Sequence, residues 1–289
     1  MANLKEIRRR IGSVKGTQKI TRAMRMVAAA KLRKAQEATE NFRSYADLMS
    51  SVLAEVASGA SKKDHPLLER REPKRSLVLV ISSDRGLCGG FNSNLNRLVT
   101  DHVATADPEP ELAIIGKKSH AYFKRRTVTI HHTYSDMYDG PGFDAAARVA
   151  RELSSAFAQG EVDRIDLAFN EMISLASQKP IVKQLLPIAP PIQVEEKEDV
   201  LGPVGFIFDP RRKELLGQLL PRYVEVEIYR ALLESIAAEH AARMIAMETA
   251  TNNAQDMIES LTLVYNRARQ GAITNELLDI VGGAEALND

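Results

Sequence analysis

The sequence predicts an α/β protein. Its N- and C-terminal segments form a long antiparallel two-helix coiled coil, with a central α/β domain between them. Three observations lead there. Residues 17–58 and 222–270 contain neither Gly nor Pro. Both stretches repeat apolar residues at alternating spacings of three and four. The segment between them alternates short apolar runs of strand length with amphipathic stretches, the pattern of a mainly parallel sheet covered by helices.

The N-terminal helix is expected over residues 1–59. Ala35, Ala38, Phe42, Tyr45, Met49, Val52 and Val56 set one narrow seam, the spacing that favours left-handed supercoiling. Leu4, Ile7, Ile11 and Val14 fit the same pattern. The seam is expected to fail at Thr17 and Gln18 and to resume at Ile20, Met24 and Val27, through a local change of supercoil or a skip in the repeat. A charged linker, 60–75, follows. The central domain covers 76–190. Ser76–Ser82 reads as its first strand, Asn94–Ala106 as a helix, Leu112–Ile115 as a second strand, and Lys117–Arg125 as a helix. Thr127–Thr133 is β-rich, Asp144–Ala158 is an amphipathic helix, and Arg164–Phe169 and Ile181–Ile188 are further strands. This alternation is Rossmann-like. Residues 191–208 form an acidic linker ending in a last strand, Val204–Phe208. The C-terminal helix occupies 209–289, with Asp209 as N-cap, Pro210 at its first position, and Pro221 as a kink or boundary. Its seam is Met247, Ala250, Ala254, Met257, Leu261, Val264 and Ala268. A gap-free helix of about 50 residues spans about 75 Å, far longer than an ordinary core helix. One intervening domain returns the chain, so the two ends are expected to pair antiparallel.

Composition narrows the functional classes. The chain has 289 residues, 44% hydrophobic and 27% charged, with a net charge of +1. No apolar run approaches membrane-spanning length, and the N-terminus lacks the apolar stretch of a signal peptide. A single cysteine, Cys88, excludes an internal disulfide and a multi-cysteine zinc site. Trp is absent and aromatics are 5%, so stacking platforms for bases are scarce. Charge is lopsided. Residues 1–34 carry Lys5, Arg8, Arg9, Arg10, Lys15, Lys19, Arg22, Arg25, Lys31, Arg33 and Lys34 against a lone acid, Glu6. Such a helix seeks an acidic surface: nucleic acid, anionic lipid or an acidic protein. The plainer explanation is a solvated helix face.

Candidate chemistry is thin. The run Ser83-Asp84-Arg85-Gly86-Leu87-Cys88-Gly89-Gly90-Phe91-Asn92 follows a strand, as a phosphate-binding loop does. It matches neither Gly-x-Gly-x-x-Gly nor the P-loop, and it lacks the phosphate Lys. A tight turn packed against the coiled coil is the expectation, with Cys88 a small buried residue. His131 and His132 are adjacent on a strand and point to opposite faces, against one shared metal. His240 falls on the C-terminal helix seam and reads as a tolerated core polar residue. No catalytic, cofactor or metal site is expected.

Several strings carry a family resemblance. They are Ile7-Arg8-Arg9-Arg10-Ile11, Thr17-Gln18-Lys19-Ile20-Thr21-Arg22-Ala23-Met24, Met26-Val27-Ala28-Ala29-Ala30-Lys31, the Ser83–Asn92 run, and Tyr265-Asn266-Arg267-Ala268-Arg269-Gln270 with Ile273-Thr274, Glu276-Leu277 and Ile280-Val281. In order and from end to end, the chain resembles the gamma subunit of the rotary F-type ATP synthase, bacterial type. The resemblance implies a central rotor stalk that turns inside a hexamer of alpha and beta subunits. It implies a foot on the c-subunit ring beside the epsilon subunit, and a peripheral position on the cytoplasmic face of the bacterial plasma membrane. The stalk is non-catalytic but required for ATP synthesis and hydrolysis coupled to proton transport, with no cofactor and no nucleic acid. It implies contacts to alpha and beta through Arg8, Arg9, Arg10, Lys19, Arg22, Met24, Arg25, Arg243, Arg269, Gln270, Thr274 and Glu276. The apolar bearing tip would be Ile273, Leu277, Leu278, Ile280 and Val281. The foot facing the c-ring and epsilon would be Phe208 and Asp209. Phe208 stands where the family pattern has Tyr, and Asp209 doubles as a helix cap. Gly271 stands where Ala or Ser is expected and softens the turn by about 1 kcal/mol.

Two other classes compete. One is a basic coiled coil that binds nucleic acid or membrane, which would lose affinity steeply with salt. The other is a nucleotide-dependent enzyme built on the central domain, which would bind nucleotide as an isolated chain. Neither accounts for the two end helices and their matched strings.

Overall fold

The computed structural model describes residues 4–57, 65–135, 137–138, 142–189 and 212–285. The chain divides into two compact units, one made of Met1–Ala28 with Arg243–Asp289, the other of Ala29–Ala242. Two helices bracket everything else: α1 (Leu4–Ala57) and α5 (Arg212–Glu285).

In the larger unit the expected alternation is present. β1 (Ser76–Ile81), α2 (Phe91–Thr105), β2 (Glu111–Ile115), α3 (Lys117–Phe123), β3 (Ile130–Tyr134), α4 (Phe143–Ala158), β4 (Arg164–Met172) and β5 (Gln178–Leu186) follow in order. The sheet order is β3-β2-β1-β4-β5. β1, β2, β3 and β4 pair in parallel and β5 closes the edge antiparallel to β4. β1 and β2 are near-continuous apolar runs because they lie inside a parallel sheet buried on both faces. Val78, Val80, Leu112, Ile114 and Ala168 from the sheet pack with Leu95, Val99 and Val103 of α2 and Phe123 of α3. β5 begins at Gln178, three residues before the expected Ile181, and β4 runs on to Met172. Their hairpin ends are polar and half-exposed, and the strand signal fades there. Ahead of β1, Leu67 and Leu68 are buried in a short 3-10 turn, Pro66–Leu68, whose first free N–H, that of Leu67, is accepted by the His65 ring.

The helices depart from expectation in two ways. First, α1 does not skip at Thr17 and Gln18. Its covered face steps through Ile7, Ile11, Val14, Gln18, Thr21 and Ala28, whereas Ile20 and Val27 are 61% and 58% exposed. Two polar residues continue the seam, and an apolar-only reading therefore lost its phase. Second, alternate seam positions shift by one residue. Ala46 and Leu53 are buried where Tyr45 and Val52 are exposed, and Ile258 is buried where Met257 and Val264 are exposed. Both choices are apolar and both fit a three–four spacing, so only the partner surface decides between them. Pro221 lies inside α5, within the helix in which a kink or internal boundary was expected. Its ring crowds the carbonyl four residues back, and that residue is Gly217, with nothing within 4 Å of where a Cβ would stand. The expected strand Val204–Phe208, the Asp209-Pro210 helix start and much of both linkers lie outside the described residues.

A polar groove between the terminal helix segments

In the smaller unit, α1 and α5 are antiparallel, and three polar rungs join them. Gln18 donates through Nε2 to Gln255 Oε1 at 2.9 Å. The hydroxyls of Thr21 and Thr251 share a hydrogen bond at 2.8 Å. Arg25 Nη1 donates to Glu248 Oε1 at 2.9 Å. Moving along α1 by three and then four residues moves back along α5 by four and then three, the stepping of an antiparallel coiled-coil seam. Ala254, Met247 and Ile258 are buried beside these rungs on α5, as are Ile7 and Ala28 on α1.

A groove of about 320 Å³ opens on this layer. It is lined by Gln18, Lys19, Arg22, Arg25, Glu248, Thr251, Asn252 and Gln255. Lys19 and Arg22 are exposed, and among the described residues neither has an ion pair. Glu248 is the one acid in the lining, and Arg25 holds it. The wall is therefore positive, and its side-chain amides and hydroxyls supply neutral donors and acceptors. A carboxylate or other anion on a protein surface matches it; an apolar ligand does not. The Arg25–Glu248 pair is too exposed to contribute more than about 1 kcal/mol of stability.

The structure gathers Lys19, Arg22 and Arg25 on the groove, with half-buried Met24 on the same helix turn. It leaves Arg8 and Arg9 exposed, and Arg10 is tied to Glu6 at 2.9 Å. Arg243 is half-buried. Arg269, Gln270, Thr274 and Glu276 are exposed at the far end of α5, and Thr274 donates back to the Gln270 carbonyl. Ile273, Leu277, Leu278, Ile280 and Val281 are exposed as well, Ile280 to 67%. Phe208 and Asp209 lie outside the described residues. Glu248, Thr251, Asn252 and Gln255 were missed by the sequence reading. Their spacing of three, one and three on one helix face was the available signal, hidden because the seam was sought among apolar residues.

The larger unit has its own candidate, the crevice at the carboxyl ends of β1 and β4. The chain reverses direction across the sheet there, the place where open α/β sheets bind ligands. Here α5 fills it. Ala238 and Ala242 pack on Cys88 and Phe91, with Met172 alongside. Ser235 donates to the Ile81 carbonyl at 3.3 Å and shares a 2.8 Å hydrogen bond with the Tyr138 hydroxyl. Burial, only partly offset by that bond, holds the Tyr138 phenol well above its ordinary pKa. The glycine-rich run serves this packing. Leu87 and Gly89 have positive φ, which turns the Cys88 side chain inward to 2% exposure, and Asn92 donates to its Sγ at 3.2 Å. Cys88 is thus a small core residue, as expected. His131 bonds Glu111 and His132 lies against Tyr134 with its ring tilted by 48°, and the described residues hold no group of three or more potential metal ligands. His240 is buried against Glu239 at 3.0 Å. No helix among the described residues is long and apolar enough to cross a membrane.

Comparison with known proteins extends over nearly the whole chain. A family model described as ATP synthase matches residues 3–287. The ATP synthase gamma chain of Anaeromyxobacter sp. (strain K) is 47% identical over 293 residues, covering 99% of this chain and 100% of that one. The ATP synthase gamma chain of Pelotomaculum thermopropionicum is 45% identical over 287 residues with the same coverage. Among solved structures, a chain from the central stalk/c-ring of the Tetrahymena thermophila mitochondrial ATP synthase aligns with a TM-score of 0.61 at 25% identity, over 80% of this chain and 99% of that one. A chain from the OSCP/F1/c-ring structure of the Euglena gracilis mitochondrial ATP synthase aligns with a TM-score of 0.72 at 23% identity, over 98% and 94%, a likeness of fold.

Proposed function

The chain belongs to the ATP synthase gamma-chain family, and we propose on that footing that it is the central rotor stalk of a bacterial proton-translocating ATP synthase. The single observation that carries this reading is the 43–47% identity to bacterial gamma chains, sustained over 99% of the sequence. It passes torque between the membrane c-ring and the beta subunits, and it is a non-catalytic member of the complex. It lies at the cytoplasmic face of the plasma membrane without inserting.

The physical basis is a paired-helix lever. Each proton charge moved through 100 mV releases about 2.3 kcal/mol, and that energy reaches the hexamer as rotation of the stalk. A rotor whose faces differ offers each beta subunit different contacts and so biases each toward a different conformation. The groove at Lys19, Arg22 and Arg25 is the strongest candidate for one such face, since its positive wall suits acidic loops of the surrounding subunits. Arg8, Arg9, Arg10, Met24, Arg243, Arg269, Gln270, Thr274 and Glu276 are proposed as further contacts. Ile273, Leu277, Leu278, Ile280 and Val281 would turn in an apolar bearing, where few ionic contacts need to break per turn. Phe208 and Asp209 would face the c-ring and epsilon. The crevice filled by α5 supports a central domain that serves as a body for the rotor rather than as a nucleotide enzyme.

Mixing the purified chain with alpha and beta subunits and measuring complex mass together with ATP hydrolysis tests this. One copy of the chain per three alpha–beta pairs, with strongly raised ATPase activity, is expected. Failure to assemble, with nucleotide hydrolysis or DNA binding by the chain alone, would sink the reading.

A further inference from the structure

We infer that the polar layer Gln18–Thr21–Arg25 against Glu248–Thr251–Gln255 is a joint at which the helix pair opens and recloses. Three observations converge on it. The rungs hold by hydrogen bonds between side chains, for which water substitutes readily, whereas the neighbouring positions Ile7, Ala28, Met247 and Ile258 are buried apolar residues. The groove on the layer has room for several waters, at about 30 Å³ each.

The third observation is the most specific. The two threonines have an alternative acceptor on their own helix. One of the two hydroxyl protons makes the cross-layer bond; on parting, Thr21 Oγ1 can donate to the Gln18 carbonyl, 3.1 Å away, and Thr251 Oγ1 to the Met247 carbonyl, 2.7 Å away. Gln255 Nε2 donates to Glu259 Oε1 at 2.7 Å, so parting from Gln18 frees only the Gln255 carbonyl oxygen and the Gln18 amide N–H, at an exposed contact. Separating the helices here therefore leaves the threonine hydroxyls bonded within their own helices and hands Gln18 Nε2 and the partly exposed Arg25 guanidinium to water. A layer of Leu and Ile in the same place would expose apolar surface whenever it parted. Threonines that back-bond to the preceding turn also bend a helix slightly, which favours flexing at this level.

The consequence is local. The portion of the pair built on Ile7, Ile11 and Ile258 can swing against the portion built on Ala28 and Met247 without unfolding either. This inference does not depend on the rotor reading, since it concerns the helix pair alone.

Hydrogen exchange of the full-length chain, read by mass spectrometry, tests it. Amides of residues 18–25 and 248–255 are expected to exchange at least about tenfold faster than those around Ala28 and Ile258 on either side. The Thr21→Val/Thr251→Val double variant should slow that exchange several-fold, and adding Gln18→Leu/Gln255→Leu should slow it further. The strand Ser76–Ile81 serves as the internal control, with exchange unchanged. Exchange in the layer as slow as in its flanks, or unaltered in the milder double variant while Ser76–Ile81 is unchanged, would overturn the proposal.

Discussion

Among the described glycines, Gly116 is the one whose added Cβ would meet a neighbour most closely. It adopts φ +102 after β2, and a Cβ there would stand 2.1 Å from the Ser82 carbonyl oxygen. That close approach lets Ser82 donate N–H to the Ile115 carbonyl at 2.8 Å and lets its hydroxyl accept from Ser119 N–H. Gly116→Ala is expected to cost about 3 kcal/mol or more in urea unfolding of the full chain. The tyrosines give a second prediction at this scale. Burial raises the Tyr138 phenol well above its ordinary value and pushes Tyr223 up to about 12. The fold thus favours the neutral phenol. Its contribution is whole below about pH 10, where both states are protonated, and is lost as pH climbs through the folded values. Melting temperature should fall steeply above pH 10. Tyr138→Phe should flatten part of that fall, at a neutral-pH cost of about 1 kcal/mol for the lost Ser235 bond. Legibility at this scale was uneven. The inward setting of Cys88 followed from the tendency of a lone cysteine to be a small buried apolar residue. The role of Tyr138 did not, because its partner Ser235 lies 97 residues away in the chain.

At the scale of elements, strands were legible because parallel strands buried on both faces need unbroken apolar runs. The seams of α1 and α5 were legible as to period but not phase. Tyr45 and Ala46, or Met257 and Ile258, satisfy the same spacing, and the choice rests on the opposing helix. The polar rungs were hidden for the same reason: Thr21 and Thr251 look like breaks until they face each other. Two predictions concern these helices. Lys19→Glu/Arg22→Glu changes two exposed side chains and should shift stability by less than about 0.5 kcal/mol. The ATPase of the complex assembled with alpha and beta should nonetheless fall about tenfold, equivalent to about 1.4 kcal/mol of coupling. Near the end of α5, exposed apolar side chains make the isolated chain prone to self-associate, and Leu277→Gln/Leu278→Gln/Ile280→Gln should lower its sedimenting mass at high concentration relative to the unaltered chain.

For the whole molecule, the order of strings along the chain carried more functional information than any single site. The central domain fills its own ligand crevice and the helix pair presents a positive groove, features that suit use inside a larger assembly. The helix pair was foreseen from two long gap-free stretches, the body from strand–helix alternation. The groove emerged only when residues more than 220 positions apart were brought together. The most direct measurement is single-molecule rotation. A bead would be fixed to a cysteine introduced on the surface of the central domain, in the complex with alpha and beta subunits, and followed in the presence of ATP. The rotor account predicts continuous one-way rotation that pauses at three evenly spaced angles per turn. A complex that hydrolyses ATP at full rate while the bead stays still or moves at random would contradict it.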